Sequence, residues 1–275
     1  MSLPIISIVT VTVQPVSELI RTTDSLLSQN NSGLSFEWVL VVGKHFDDYK
    51  NYLQQFGERL DIKIIFQPPQ GIYAAMNLGL SNASGKWVWF VNCGDYLKDH
   101  NVINTLEKIF LHHPNVDFVA SPVLYTTPQD YWFDVSWPRV VQGSAGLEAH
   151  VHHQGVLVCK SICEKVIGGF DTSLKLAADG KFLDQAIAHA DFLIVDSVLC
   201  VFVMGGASSK NFTRTVLETA SYRKGNRLNL ITVFKNWIRQ IILQIVERDR
   251  FRSFLRPYLQ KRNDAVKKII RSESF

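Results

Sequence analysis

Four short runs of β-branched and aromatic residues lie within positions 5–91: IISIVTVTV (5–13), FEWVLVVG (36–43), IKIIF (62–66) and WVWFV (87–91). The first is a β-branched run that suits a strand covered on both faces, the usual condition of a parallel sheet. FEWVLVVG and WVWFV read as further buried strands, and IKIIF as another strand. Between them, 16–28 and 49–56 read as helices, the first with Ser17 as N-cap and Leu19, Ile20, Leu26 and Leu27 as its apolar positions. Strands alternating with helices imply parallel pairing through right-handed crossovers. The expected fold class is therefore α/β, with a doubly wound, mostly parallel sheet.

Residues 71–95, GIYAAMNLGLSNASGKWVWFVNCGD, are where this pattern meets chemistry. Ile72, Met76 and Leu80 fall near helical spacing, Ser84-Gly85 ends the helix, and a buried strand follows. Asn92-Cys93-Gly94-Asp95 comes directly after that strand, at the sheet edge where open α/β folds bind ligands. A carboxylate on such a loop suits a divalent cation held against a diphosphate. Capping of a helix that begins near Asp99 is the structural alternative for Asp95. No Gly-x-Gly-x-x-Gly follows the first strand, where the turn is VQPVS, and no Walker-type lysine loop occurs. A nucleotide would have to be held in another way.

Beyond Asp95 the pattern becomes mixed. Residues 102–111 and 178–190 read as helices, and 116–124, 131–137, 156–159 and 192–203 as strands. Residues 143–150 read as an irregular, mobile loop over a site. The expected organisation is a nucleotide-binding half (1–95) followed by an acceptor-binding half (96–210).

Charge separates a third region. Residues 1–210 carry 14 basic and 20 acidic side chains, whereas 211–275 carry 15 basic and 5 acidic, which together give the net charge of +4. Within 230–246 the residues Leu230, Phe234, Trp237, Ile238, Ile241, Ile242 and Ile245 form one apolar helical face. Basic residues interleaved with Phe251, Phe254, Leu255 and Tyr258 follow. Such a basic amphipathic stretch (228–275) suits an interfacial membrane helix; packing onto the domain or forming a homodimer is the alternative. No nucleic-acid-binding module is recognisable. Cys93, Cys159, Cys163 and Cys200 form no Cys-x-x-Cys pair, which argues against a zinc ribbon or redox dithiol and for a reducing compartment. Residues 1–13 read as a strand rather than a signal peptide, and the longest apolar run is too short to span a bilayer. The expected location is the cytoplasm, peripheral on the inner face of the plasma membrane.

Three groups of residues together resemble the short bacterial family 2 glycosyltransferases of GT-A fold, especially those of colanic-acid-type exopolysaccharide assembly. The first is the opening strand and helix with FEWVLVVG. The second runs from GIYAAMNLG (71–79) to FVNCGD (90–95), similar to the family's Gly-Ile-Tyr-Asp-Ala-Met-Asn-x-Gly and Phe-Leu-Asn-x-Gly-Asp. The third is His153-Gln154, Ala178-Asp179 and Met204-Gly205-Gly206-Ala207-Ser208. The resemblance covers about residues 4–210 and implies a sugar transfer from a nucleotide-diphospho-sugar donor to a saccharide or lipid-linked acceptor. It implies Asp95 as ligand to Mg²⁺ or Mn²⁺, with the metal offsetting charge on the departing diphosphate. It implies Asp179 as general base, hence inversion at the anomeric carbon. Thr10, Tyr73, Asn77, Asn92, Gly94, His153, Gln154, Gly205 and Gly206 become the donor-binding set. The structural counterparts are an N-cap for Asp179, a satisfied histidine for His153 and a simple turn for Gly205-Gly206.

The chain also departs from that pattern. Val42-Gly43-Lys44-His45 stands where the family has an Asp-Gly-Gly-Ser-like run, with Asp47 and Asp48 as nearby substitutes. Ala74 replaces the acid of Gly-Ile-Tyr-Asp, and Gly94 the first acid of the commoner Asp-Asp pair. The reading is a divergent, active glycosyltransferase. A catalytically silent scaffold of polysaccharide assembly and a soluble sugar-nucleotide-binding or nucleotidyl-transferring protein are its rivals.

Overall fold

The computed structural model describes residues 6–30, 33–127, 132–143, 146–204 and 212–223. Strands β1 (Ile6–Thr12), β2 (Phe36–Val42), β3 (Asp61–Phe66) and β4 (Trp87–Phe90) are parallel, with β1 between β2 and β4. Helices α1 (Ile20–Leu27), α2 (Phe46–Gln54), α3 (Ile72–Asn82) and α4 (Val102–His112) alternate with them. β1 is buried along its whole length, because its alternating side chains meet a different helical layer on each face. Ile6 and Ile8, with Trp38, Leu40, Trp87 and Trp89, share a cluster with Leu19, Leu26, Tyr49 and Leu106. Val9 and Val11, with Val39, Val41, Val88 and Phe90, share the other with Tyr73, Met76 and Leu80 of α3. The latter layer is completed by Phe182 and Leu183 of α6 (Ala178–Ile187), which follows a short helical turn, α5 (Lys160–Ile162). Full burial on both faces is what the β-branched composition of the parallel run required.

The remaining strands are β5 (Tyr96–Leu97), β6 (Phe118–Ala120), β7 (Val123–Thr126), β8 (Trp132–Ser136), β9 (Arg139–Gly143), β10 (Gly146–His150), β11 (Val156–Cys159), β12 (Phe192–Ile194) and β13 (Cys200–Val203). The main sheet runs β12-β6-β11-β4-β1-β2-β3, with β11 antiparallel between β4 and β6. A smaller sheet runs β5-β13-β7-β8. Helix α7 (Phe212–Tyr222) lies against α6. Among the described residues, no helix is long and apolar enough to cross a membrane. All four cysteines are free.

Several expectations are corrected. Residues 116–124 form two strands, because Pro122 has no N–H to give a ladder and the chain leaves the main sheet there. Residues 192–203 likewise divide into β12 and β13, broken around Asp196. The two breaks are matched: β6 pairs parallel with β12 in the large sheet, and β7 with β13 in the small one. Residues 143–150 are not an irregular loop but part of the β9–β10 hairpin, with Gly143 opposite Gly146. Ser17 is not an N-cap. It lies inside a 3-10 turn (Val16–Leu19) that Pro15, with φ −67°, introduces. The basic amphipathic stretch at 228–275 lies outside the described residues.

Gly79 sets how closely α3 can lie on the sheet. A Cβ there would stand 2.4 Å from Val9 Cγ1. Alanine favours a helix interior by about 0.8–1.0 kcal/mol over glycine, yet overpacking a filled site costs about 1–3 kcal/mol. Gly79→Ala should therefore lower unfolding free energy in a urea titration, whereas Ser81→Ala, at an exposed position of the same helix, should change it by less than about 0.5 kcal/mol.

Candidate active site

β1 lies between β2, which follows it, and β4, so the connections diverge at the carboxyl edge there, the place where open α/β sheets bind ligands. Asn92 to Asp95 follow β4 at that edge. Because β11 is antiparallel to β4, the turn that precedes it (His153–Gly155) arrives at the same place. Asp179, in the first turn of α6, reaches in from the helical layer.

Asp95 is only 4% exposed. One carboxylate oxygen accepts from the Val203 backbone N–H at 2.7 Å, and the other accepts a short bond from the Gln154 side-chain amide. Burial pushes the carboxyl up to about 7, against the lowering effects of Val203, Gln154 and the nearby His153. Its loop is pinned from α1: the Thr22 hydroxyl donates to Asp95 O at 2.7 Å and accepts from Gly94 N at 3.0 Å. Gly94 has φ 92°, which a side chain would strain. Asp95 is thus no helix cap; Asp99 instead accepts from Asn101 N at 2.8 Å, ahead of α4.

Asp179 is different, with 26% of its side chain exposed. Oδ1 accepts from Tyr73 Oη at 3.0 Å, and Oδ2 faces His153 Nδ1 at 3.2 Å. On its other edge, His153 Nε2 lies 3.2 Å from Asn92 Nδ2. One tautomer satisfies both contacts, with the proton on Nδ1. Burial works to raise the Asp179 carboxyl, but the hydrogen bond from His153, the Gly180 N–H and the Tyr73 hydroxyl together hold it below its ordinary value. Tyr73 is itself pushed upward, by burial first and by Asp179 second. His152, stacked on His153, is pushed down to about 3, chiefly by burial. Asp179 is not the N-cap of α6 either; Ala177 holds that position and makes no side-chain cap.

The structure therefore strings together Asp95, Gln154, His153, Asn92, Asp179 and Tyr73. It leaves two sequence candidates outside. Thr10 is fully buried, donating to Val91 O at 2.6 Å and accepting from Trp38 Nε1 at 2.9 Å. Asn77 closes both ends of its amide on the backbone of Phe170, at 2.9 and 2.7 Å. Gly205 and Gly206 lie outside the described residues. Val42 is buried in the core, and Asp47 and Asp48 are exposed on the first turn of α2. Two contributors escaped the sequence reading. Val203 acts through its backbone and leaves no side-chain signal. Thr22 does leave one, as a polar residue at the helical phase of Leu19 and Leu26.

Among the described residues, no group of three or more His, Cys, Asp or Glu side chains forms a protein-only metal cage. A hard cation that draws most ligands from a diphosphate and water needs fewer protein oxygens. Asp95, a buried carboxylate with only neutral hydrogen-bond donors on its oxygens, and Asn92 Oδ1, buried with no partner, fit that need.

This sheet order, with the crevice closed by a loop acid, defines a GT-A-type glycosyltransferase fold. The chain belongs to glycosyl transferase family 2, whose profile matches residues 7–154. It is 26% identical over 222 residues to the Uncharacterized glycosyltransferase Rv1514c of Mycobacterium tuberculosis, covering 76% of this chain and 78% of that one. It is 25% identical over 260 residues to a PGL/p-HBAD biosynthesis glycosyltransferase of Mycobacterium bovis, covering 90% and 96%. Its fold is similar to S. aureus TarS 1-349 in complex with UDP-GlcNAc, with TM-score 0.60, 16% identity, and 98% and 91% of the two chains covered. The mannosyltransferase PcManGT from Pyrobaculum calidifontis, in complex with GDP-Man and Mn²⁺, gives TM-score 0.57 at 13% identity, covering 99% and 88%.

Burial of Asp95 has a sign that can be checked. An acid near 7 in the folded chain and about 4 when unfolded costs stability as pH rises between those values, and the full cost persists above them. Without added divalent cation, Asp95→Asn should match the parent in thermal melts near pH 4. It should exceed the parent at pH 8 by an amount on the order of a few kcal/mol.

Proposed function

We propose that this protein is an inverting glycosyltransferase that moves a sugar from a nucleotide-diphospho-sugar to a saccharide or lipid-linked hydroxyl, with Asp179 as general base. The observation that carries this reading is Asp179 itself, partly exposed at the crevice and fixed on both oxygens by Tyr73 and His153. The acceptor O–H attacks the anomeric carbon from the face opposite the diphosphate. The C–O bond to phosphate breaks, its electron pair goes to the diphosphate, and the acceptor proton goes to an Asp179 oxygen. A carboxylate has about four lone-pair sites, so the bonds from Tyr73 and His153 leave room for that proton. A base held below its ordinary value is fully ionised at neutral pH. It takes the proton late, once bond formation has made the hydroxyl acidic.

Asp95 and Asn92 are the residues that would hold Mg²⁺ or Mn²⁺, which when bound neutralises charge on the diphosphate. Support for a nucleotide-sugar donor comes from TarS and PcManGT, solved with UDP-GlcNAc and with GDP-Man; a lipid-linked acceptor fits the basic, amphipathic composition of 228–275. The basic stretch 228–275 would bring the enzyme to the cytoplasmic membrane surface, where such acceptors are presented.

Thermal shift with UDP and GDP, each with and without Mn²⁺, tests the donor class. Asp179→Asn should keep the shift and lose about 10²–10⁴-fold in turnover. A normal rate would exclude Asp179 as the base, and no turnover by the parent with any common donor would favour the silent scaffold. Tyr73→Phe should lower kcat about 3–10-fold, leave donor KM unchanged and move the acidic limb of the pH–rate profile upward, since it removes a donor to the ionised form. A change confined to KM would instead make Tyr73 a donor contact.

A further inference from the structure

We propose that Glu218, on α7, is a positioning residue for Asp179: it holds the bend that leads into α6 and thereby fixes the turn that carries the base. The inference rests on the reading of Asp179 given above.

The three residues ahead of α6, Lys175 to Ala177, lie in a bend outside any helical or strand ladder, so their N–H groups need an acceptor from elsewhere. Ala177, at the N-cap position of α6, supplies none from its side chain. The acceptor comes from 41 to 43 residues further along the chain. Glu218 Oε2 takes the backbone N–H groups of Lys175, Leu176 and Ala177 at 2.8, 2.7 and 3.2 Å. Its other oxygen is held by Arg214 Nε at 3.1 Å. Burial opposes the charge on Glu218, yet these N–H groups keep its carboxyl below the ordinary value.

A second clamp stops α7 from pivoting. Arg223 donates from Nε and Nη2 to Asp184 of α6 at 2.7 and 2.8 Å, and its Nη1 lies 3.6 Å from Glu148 of β10. Asp179 sits between the two grips, at 175–177 and at 184. α7 also passes directly over the turn, since a Cβ on Gly180 would lie 2.6 Å from Tyr222 Oη. Asp179 must meet Tyr73 at 3.0 Å and His153 at 3.2 Å simultaneously. Hydrogen bonds of that length do not survive a shift of about 1 Å, and misplacement of that size costs about 10²-fold in rate. The orientation of the base therefore depends on a helix beyond the part of the chain that the family profile matches.

The test uses the full chain with selectively labelled carboxyl carbons, and reads the Asp179 titration by NMR together with nucleoside diphosphate release from UDP- and GDP-sugars. Glu218→Ala should move the Asp179 midpoint up toward that of an ordinary aspartate. Turnover should fall about 10–100-fold with donor KM within about twofold. Glu218→Gln keeps an acceptor oxygen and should restore both to within about threefold of the parent, which a loss of stability alone would not do. If Glu218→Ala does not accumulate as folded protein, Glu218→Asp, whose carboxylate is withdrawn by about 1.5 Å, carries the same test. An unmoved titration and full turnover in Glu218→Ala, beside an inactive Asp179→Asn, overturns the inference and leaves the base in place. A fully active Asp179→Asn overturns both.

Discussion

A single carboxylate joins the two sheets. Asp95 leaves the end of β4 in the large sheet, takes the N–H of Val203 from the small one, and is met by Gln154 from the turn ahead of β11. Stripping a carboxylate of water costs several kcal/mol when no opposite charge compensates it, and here the donors are neutral. The fold retains that cost at one position. The neighbouring features exist to hold the acid there: the Thr22 clasp, the positive φ of Gly94, the fully buried Gln154.

The second acid is organised on the opposite principle. Asp179 is held by groups from separate elements, the Tyr73 hydroxyl of α3 and the His153 imidazole of the turn before β11, and it stays partly open to solvent. Consecutive residues His153 and Gln154 serve the two acids, one each. A two-residue segment thus sets the spacing between a buried acid whose proton affinity is raised and a partly exposed one whose affinity is lowered. Opposed shifts at neighbouring carboxyls are how one crevice divides roles between acids.

The parallel half was legible in the sequence because its strands are continuous β-branched runs, which few other structures accommodate. The later half was less so. Residues 116–124 and 192–203 each look like one strand, since apolar character persists across the break and only Pro122 and Asp196 mark it. The β9–β10 pairing was hidden by its weak alternation and by the glycines at its facing ends. Within the site, motif order pointed to Asp95, His153, Gln154 and Asp179. Composition could not tell which of their polar neighbours turn toward them. Thr10 follows Ile8 on the same face of β1 and so enters the core beside Trp38. Asn77 lies one position past Met76 and turns to Phe170. Tyr73 and Glu218 find partners 106 and 41 to 43 residues away, a pairing that only the folded chain reveals.

The matched departure of β6 and β12 from the large sheet has a geometric consequence. Adjacent ladders that break at one level create a crease, not an isolated kink. On its far side β7 and β13 keep each other as partners, so no strand is left bare by the change of plane. The small leaf therefore leaves the large one with its own pairing intact, and the bond from Val203 to Asp95 fastens the leaf to the end of β4.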